Sequence, residues 1–281
     1  MKKLTKLLTA LLAAALLVIP FATGCESTSS DKKIVVGASS TPHAEILEFV
    51  KDDLKAKGYE LEIKIYDDYI LPNTQLQAGD LDANYFQHTP YLNDFNAKNN
   101  TTLVSVGKIH YEPLSVYGNG VTKEEFNETK TGRTIFIPSD NTNGTRALLV
   151  LEENGYLTLP EGTSPENPIS EKEIVDRNGN TVIAVEAAQV AAQLKNNAGA
   201  IAVINGNYAL AAGYSAADAL AVESATGIAA NLYANVVAVK EGNENTEKTK
   251  ALVEVLTTKK VYDWIAAQYG GAVLPVFTYA E

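Results

Sequence analysis

Short apolar strands and amphipathic helices alternate along the chain from Lys33 onward, and this alternation restricts the folds that it can adopt. Lys33 to Ala38 is a β-rich run, and the segment from His43 to Lys57 places its apolar residues on one helical face. The same order recurs in the second half, where Thr134 to Pro138 precedes a helix that ends at Gly155. Repeated βα alternation indicates parallel sheets with helices on their faces. The sequence therefore predicts the α/β fold class.

The N-terminal segment has the layout of a bacterial secretory signal. Three lysines form a positive start, and the apolar run from Leu7 to Phe21 is too short for a spanning helix, which needs about 20 apolar residues. Small residues then lead to Cys25, which is the only cysteine. This arrangement predicts a signal peptide at 1–24 and a lipid on Cys25, which anchors the protein at the outer side of the cell membrane. The alternative is cleavage that leaves Cys25 as a free thiol.

The composition changes after this cysteine. Residues 25–32 are polar and predict a flexible tether, whereas a globular composition starts at residue 33. Removing 24 of the 281 residues leaves 257, which is enough for two lobes. The formal net charge then moves from −11 to −14, because the three lysines of the signal are lost. An acidic chain without a basic cluster is not expected to bind nucleic acid.

The sequence lacks the common motifs of enzymes and metal sites. It contains no CxxC, HExxH, GxGxxG, Walker or GxSxG pattern. Its three histidines, His43, His88 and His110, lie far apart in the sequence. These observations predict a protein that is not an enzyme and that uses neither a metal nor another cofactor.

Two segments concentrate side chains that suit ligand binding. The stretch from Tyr66 to Phe95 places aromatic residues and His88 at connections, and ligands of open α/β sheets bind at the carboxyl ends of strands. The stretch from Ile137 to Arg146 is a polar loop that ends with an arginine in a new helix, which suits a carboxylate. Asn205 and Asn235 adjoin two apolar strands. From the residues alone, the alternatives are core aromatics, a surface arginine and asparagines that cap helices or turns.

Eight stretches of the chain resemble the NLPA family of lipoproteins, in the family's order. They are VGASSTPHAEIL, YDDYILPN, GDLDANYFQHTPYL, HYEPLSVY, IPSDNTNGTR, AVINGNYA, NLYANVVAV and GGAV. Members of this family are methionine-binding lipoproteins of ABC importers. The resemblance implies a two-lobed fold like that of type II periplasmic binding proteins, with a ligand cleft between lobes that two crossover segments join. It implies a first lobe at 33–108 plus 237–281 and a second lobe at 112–232.

The resemblance also implies roles for seven ligand-binding residues, which are Tyr69, Phe86, His88, Tyr91, Arg146, Asn205 and Asn235. The four ring side chains match a wall that takes the thioether, and Arg146 matches the partner of the ligand carboxylate. The two asparagines match residues that hold the amino and carboxylate groups. The loop departs from the family pattern at Asn141, where the family has proline, and at Gly144 and Thr145, which precede the arginine.

The function implied by the resemblance is capture of L-methionine, or a close analogue, and its delivery to an ABC permease and the attached ATPase. A methionine-containing dipeptide or another apolar amino acid remains an alternative ligand of the same fold. A secreted enzyme and a surface adhesin are rivals from other classes. Retention of a ligand without turnover distinguishes a binding protein from the enzyme, and release of a small molecule on denaturation distinguishes it from the adhesin.

Overall fold

The computed structural model describes residues 32–224 and 227–279, so the predicted signal peptide, Cys25 and all but the last residue of the predicted tether lie outside the described residues. The strands are β1 Lys33–Ala38, β2 Glu60–Ile65, β3 Ala83–His88, β4 Leu103–Tyr111, β5 Ser115–Gly118, β6 Thr134–Pro138, β7 Thr181–Val185, β8 Ile201–Ile204, β9 Ala221–Val222, β10 Ala234–Lys240 and β11 Leu274–Pro275. The α-helices are α1 Glu45–Phe49, α2 Lys51–Ala56, α3 Leu71–Ala78, α4 Thr89–Asn99, α5 Lys123–Glu128, α6 Asn141–Glu153, α7 Ala187–Asn196, α8 Gly206–Ala211, α9 Gly227–Leu232, α10 Glu247–Leu256 and α11 Lys259–Gln268.

The first lobe contains a six-stranded sheet of mixed direction, in the order β11-β4-β10-β3-β1-β2. Strand β1 pairs in parallel with β2 and β3, as the βα alternation predicts. Strand β10 is antiparallel to both β3 and β4, and β11 is antiparallel to β4. The βα alternation did not predict these antiparallel pairs, which arise because β10 returns from the second lobe and enters the sheet from the opposite end.

The second lobe contains a five-stranded sheet, in the order β7-β6-β8-β5-β9. Strand β6 is parallel to β7 and β8, whereas β5 is antiparallel to β8 and β9. Alternate residues of β6 belong to different apolar clusters, with Ile135 and Ile137 in the cluster that includes Leu148 of α6, and Phe136 in the cluster that includes Val190 of α7. Both faces of the strand are buried, which explains its continuous apolar sequence.

The chain passes between the two sheets at two places. Strand β4 ends at Tyr111 and β5 begins at Ser115, while β9 ends at Val222 and β10 begins at Ala234. The two crossing strands β4 and β10 pair with each other, with Ala234 opposite Tyr111. Two α/β lobes therefore meet beside one pair of strands, and the predicted two-lobed fold class is confirmed.

The segment predicted as one helix from His43 to Lys57 is divided. A π-helical turn at Ser40–Ala44 precedes α1 and α2, and the two helices are separated at Val50. Its predicted inward residues are nevertheless fully buried: Ile46, Leu47, Val50 and Leu54. None of the helices in the described ranges is both long enough and apolar enough to cross a membrane.

Helix α6 starts earlier than the sequence predicts. Its first residue is Asn141, because the side chain of Asp140 accepts a hydrogen bond from the backbone N–H of Asn143 and caps the helix. Arg146 therefore lies in the second turn of α6, and its side chain is buried beneath the junction of the lobes.

Candidate functional site

A cavity lies at the junction of the two lobes, next to the crossing strands. All seven residues predicted to bind ligand line it, although they come from both lobes. The structure therefore brings the predicted residues together. Their contact with a ligand stays a prediction. Four further polar side chains line the same cavity and were not singled out by the sequence: Gln87, Glu112, Asn143 and Asn207.

One side of the cavity is an aromatic wall formed by Tyr69, Phe86 and Tyr91. The ring centroid of Tyr69 lies 5.7 Å from that of Phe86 and 5.5 Å from that of Tyr91. Phe86 lies near the end of β3, and Tyr91 lies in the first turn of α4, where Pro90 occupies an early helical position. Burial raises the pKa of Tyr69 well above its usual value, so the wall stays uncharged.

Side chains from opposite lobes contact each other over this wall. The hydroxyl of Tyr69 donates to Oδ1 of Asn207 at 2.5 Å. The ring of Tyr208 lies on Tyr69, with the centroids 5.0 Å apart, and its hydroxyl donates to the carbonyl oxygen of Asp67 at 3.0 Å. Helix α8 of the second lobe thus packs directly on the connection after β2 of the first lobe.

His88 contributes a neutral ring. Its Nδ1 accepts from the backbone N–H of Tyr91 at 3.2 Å, and its Nε2 donates to Oδ1 of Asn143 at 3.0 Å. Burial, together with the positive charge of Arg146, lowers the pKa of His88 to about 4. Both nitrogens are occupied by protein groups, so the ring can contact a ligand only through its carbon atoms and its face.

Asn205 follows β8 and presents an unpaired oxygen. Its Nδ2 donates to Oδ1 of Asn143 at 2.8 Å, but its own Oδ1 is buried and has no hydrogen-bond partner in 32–224 or 227–279. The side chain precedes α8 without capping it, so the capping alternative does not hold here. A buried acceptor without a partner is costly, and an N–H donor of a ligand would satisfy it.

Asn235 lies on β10 and is held from behind by a histidine. Nε2 of His43 lies 3.0 Å from Oδ1 of Asn235. Burial lowers the pKa of His43 to about 4, although Glu112 opposes this shift. The neutral ring donates to the amide oxygen, which leaves Nδ2 of Asn235 to donate into the cavity.

Arg146 is held mainly by the protein itself. Its Nε donates to Oε1 of Glu223 at 2.9 Å, and its Nη2 donates to Oε2 of Glu223 at 2.5 Å and to the carbonyl oxygen of Glu112 at 2.8 Å. Burial favours a raised pKa for Glu223, but the charge and hydrogen bonds of Arg146 outweigh it and lower that pKa, so both groups are ionised. Nη1 has no hydrogen-bond partner in the described part of the chain. One edge of the guanidinium therefore remains for a ligand carboxylate.

Glu112 adds a buried carboxyl group that the sequence did not single out. It follows β4 directly, and only 6% of its surface is exposed. Burial raises its pKa, and the nearby His43 acts in the opposite direction. A Cβ at position 206 would lie 2.5 Å from Oε2 of Glu112, so Gly206 provides the space for this carboxylate. The available signal was an acidic residue between Tyr111 and Pro113, at the end of a strand.

The potential metal ligands of the site form a hydrogen-bond network. Atoms of His43, His110 and Glu112 that are able to ligate a metal lie within 4.8 Å of one another. Nε2 of His110 donates to Oε1 of Glu112 at 2.7 Å, and its Nδ1 therefore accepts from the hydroxyl of Tyr85. Nε2 of His43, both ring nitrogens of His110 and Oε1 of Glu112 have polar neighbours, whereas Nδ1 of His43 has no hydrogen-bond partner in the described residues. Most of these atoms are engaged within the protein, so the group supports the cavity from behind. The expectation of no metal stays a prediction.

The cavity thus combines an apolar aromatic end with a polar end that holds a buried guanidinium group and a buried carboxyl group. Unpaired amide groups lie beside them. Together with the two α/β lobes, this arrangement defines a binding protein for a small molecule that carries charged groups at one end.

The chain belongs to the NlpA lipoprotein family, whose model matches residues 34–277. It is 39% identical to the methionine-binding lipoprotein MetQ of Bacillus subtilis over 88% of this chain and 89% of that protein. A lipoprotein from Ruminococcus gnavus has a similar crystal structure, with a TM-score of 0.82 and 46% identity, over 87% of this chain and 99% of that one. A nutrient-binding protein from Burkholderia cenocepacia, solved with bound methionine, has a TM-score of 0.80 and 31% identity, over 87% of this chain and 100% of that one.

Proposed function

We propose that this protein captures methionine outside the cytoplasmic membrane and delivers it to an ABC permease. The observation that carries the proposal is the cavity, which has an uncharged aromatic wall at one end and groups for both charges of an amino acid at the other. The similarity to a methionine-binding lipoprotein and to a structure with bound methionine supports the choice of ligand.

The aromatic wall would receive the side chain of the ligand. Contacts between a thioether sulfur and aromatic edges contribute about 0.3–1.5 kcal/mol each, and Tyr69, Phe86 and Tyr91 present their rings to the cavity. His88 is neutral and its nitrogens are occupied, so it adds no charge to this end. A ligand with a charged side chain would bury that charge without a partner, which is strongly unfavourable.

The polar end would receive the backbone groups of the ligand. Nη1 of Arg146 and Nδ2 of Asn235 are donors, and they suit the carboxylate. Oδ1 of Asn205 and the carboxylate of Glu112 are acceptors, and they suit the ammonium group. Donors and acceptors are therefore divided in the way that a zwitterion requires.

Membership of a lipoprotein family supports the proposed location, and the similarity to MetQ supports the proposed partners. The lipid on Cys25 would hold the protein at the outer face of the membrane, and the polar segment 25–32 would separate the anchor from the lobes. We propose that the loaded protein docks on a permease with an attached ATPase and performs no covalent chemistry on its ligand. A Cys25→Ser variant should leave the membrane fraction without a change in ligand affinity.

The direct test is to denature the purified protein, identify any released small molecule by mass spectrometry, and then titrate the refolded protein by calorimetry. L-methionine should bind. Norleucine should bind more weakly by about 1–3 kcal/mol, the scale of a small change in an apolar pocket. D-methionine and a methionine-containing dipeptide distinguish the alternative ligands. Equal binding of lysine or glutamate would refute the proposal.

A matched pair of variants tests the arginine. Arg146→Lys retains the charge but loses the planar fork, so methionine should bind more weakly. Arg133→Lys, in the same lobe, changes a residue that does not line the cavity and whose guanidinium donates to three backbone carbonyl oxygens, so it should leave the affinity unchanged. Equal affinities in both variants would remove Arg146 from the site.

A further inference from the structure

Asp140 does not line the main cavity, yet it controls a group that does. Its carboxylate accepts hydrogen bonds only, and both of its oxygens lie 3.1 Å from Nδ2 of Asn143. Asn143 is only 1% exposed, so its amide cannot turn to solvent. The orientation of the Asn143 side chain is therefore set by Asp140, together with the Nε2–H of His88, which donates to its Oδ1.

The orientation of Asn143 determines the orientation of the Asn205 side chain. With Nδ2 of Asn143 directed at Asp140, its Oδ1 faces Nε2 of His88 at 3.0 Å and the side chain of Asn205 at 2.8 Å. An oxygen in that position requires a donor opposite it, so Asn205 must present its Nδ2 there. Its Oδ1 is then the atom left without a partner.

The reverse orientation of the Asn143 amide is disfavoured by Asp140 itself. Turning the Asn143 amide would place its oxygen against the carboxylate of Asp140, which has no hydrogen to donate when ionised. If the amide did turn, Asn205 would have to turn as well and would present an N–H₂ group to the cavity. A donor there would oppose the ammonium group of an amino acid.

We propose that Asp140 is a positioning residue of the ligand site, which acts through Asn143 to make Asn205 an acceptor for the ligand's ammonium group. The inference rests on the proposed function, because it assumes a ligand with such a group. It gives Asp140 a second role beside the capping of α6, and the two roles can be separated by substitution.

Asp140→Asn is the informative variant. Asparagine caps helices as well as aspartate does, so α6 and the fold should persist. The new amide no longer opposes the reverse orientation of Asn143, so that orientation is disfavoured by His88 without the help of a carboxylate. Methionine affinity should fall about tenfold to hundredfold, the range for losing a hydrogen bond to a charged group. The hydroxy-acid analogue of methionine should lose less than about threefold, because a hydroxyl group both donates and accepts.

Asp68→Asn is the matched control for the loss of charge. Asp68 and Asp140 line the same side cavity, and Asp68 also binds backbone N–H groups, those of Ile70 and Leu71. Within residues 32–224 and 227–279 it hydrogen-bonds no side-chain amide, so its variant should bind methionine like the original protein. An equal loss in both variants would show a simple effect of charge and would overturn the proposal.

A double-mutant cycle with Asn205→Ala tests whether Asp140 acts on the ligand through Asn205. If Asp140 acts through Asn205, Asp140→Asn should have little further effect once Asn205 is alanine. A full additional loss in that background would overturn the proposal, as would an unchanged affinity in Asp140→Asn alone. Asp140→Ser, which also caps a helix, is the second variant if the first does not fold. Failure of the unaltered protein to bind methionine would refute the proposed function instead.

Discussion

Mild acid should destabilise this protein through its three buried histidines. Burial lowers the pKa of His43 and His88 to about 4 and that of His110 to about 3, from an ordinary value of 6.5. The unfolded chain therefore binds more protons than the native one below pH 6.5, so stability is complete above that pH and is lost as the pH falls. Between pH 6.5 and 5.0 each histidine costs about 2 kcal/mol, at about 1.4 kcal/mol per pH unit. Three histidines give about 6 kcal/mol, and protonation of Glu112, whose native pKa is raised, offsets part of it.

Urea denaturation of the ligand-free protein, followed by circular dichroism between pH 5.0 and 8.0, measures this loss directly. The free energy of unfolding should be constant above about pH 7.5 and should fall steeply below pH 6.5. His43→Gln retains a donor for Asn235 but removes one titrating group, so its pH dependence should be about one third shallower. Equal stability at pH 5.0 and 7.5 would refute the inference that the three rings are buried and neutral.

Three further variants have defined outcomes. Glu223→Gln leaves Arg146 buried without its anion and should lower the free energy of unfolding by about 3–5 kcal/mol in urea denaturation; unchanged stability would mean that the pair is open to solvent. Gly206→Ala should displace Glu112 and weaken methionine binding in calorimetry; an unchanged affinity would show that the position of Glu112 does not matter for binding. Tyr208→Phe keeps the ring but loses one hydrogen bond between the lobes, so stopped-flow experiments should show release about fivefold faster; an unchanged rate would show that this contact does not hold the cleft closed.

The site residues that the sequence predicted are those whose positions are indicated by their neighbours in the sequence. Phe86 and Tyr91 flank the junction of a buried strand and a helix with an early proline, so their positions on either side of the β3–α4 junction follow from neighbouring residues. Asn205 likewise follows an apolar strand directly. Their shared role in ligand binding was inferred from the resemblance to a known family, because the spacing of the residues alone does not indicate it.

The parts that it did not predict depend on contacts between distant segments. Glu223 lies 77 positions from Arg146, and nothing around either residue marks them as partners. His43 and Asn235 are separated by 192 positions, and their contact exists only because β10 returns to the first sheet. The antiparallel direction of β10 has the same origin, since βα alternation describes only the strands that follow one another along the chain.

The pairing of β4 with β10 places the polar end of the cavity close to the line about which the lobes would rotate. Asn235 lies opposite His110 in this pair, and Glu112 follows at the end of β4. In any rotation an atom moves in proportion to its distance from the axis. Opening of the cleft would therefore separate Tyr69 and Tyr208 much farther than it would separate the groups near the strands. An arriving amino acid would find its charged partners already arranged at the bottom of the cleft, and the aromatic wall would be completed around its side chain afterwards.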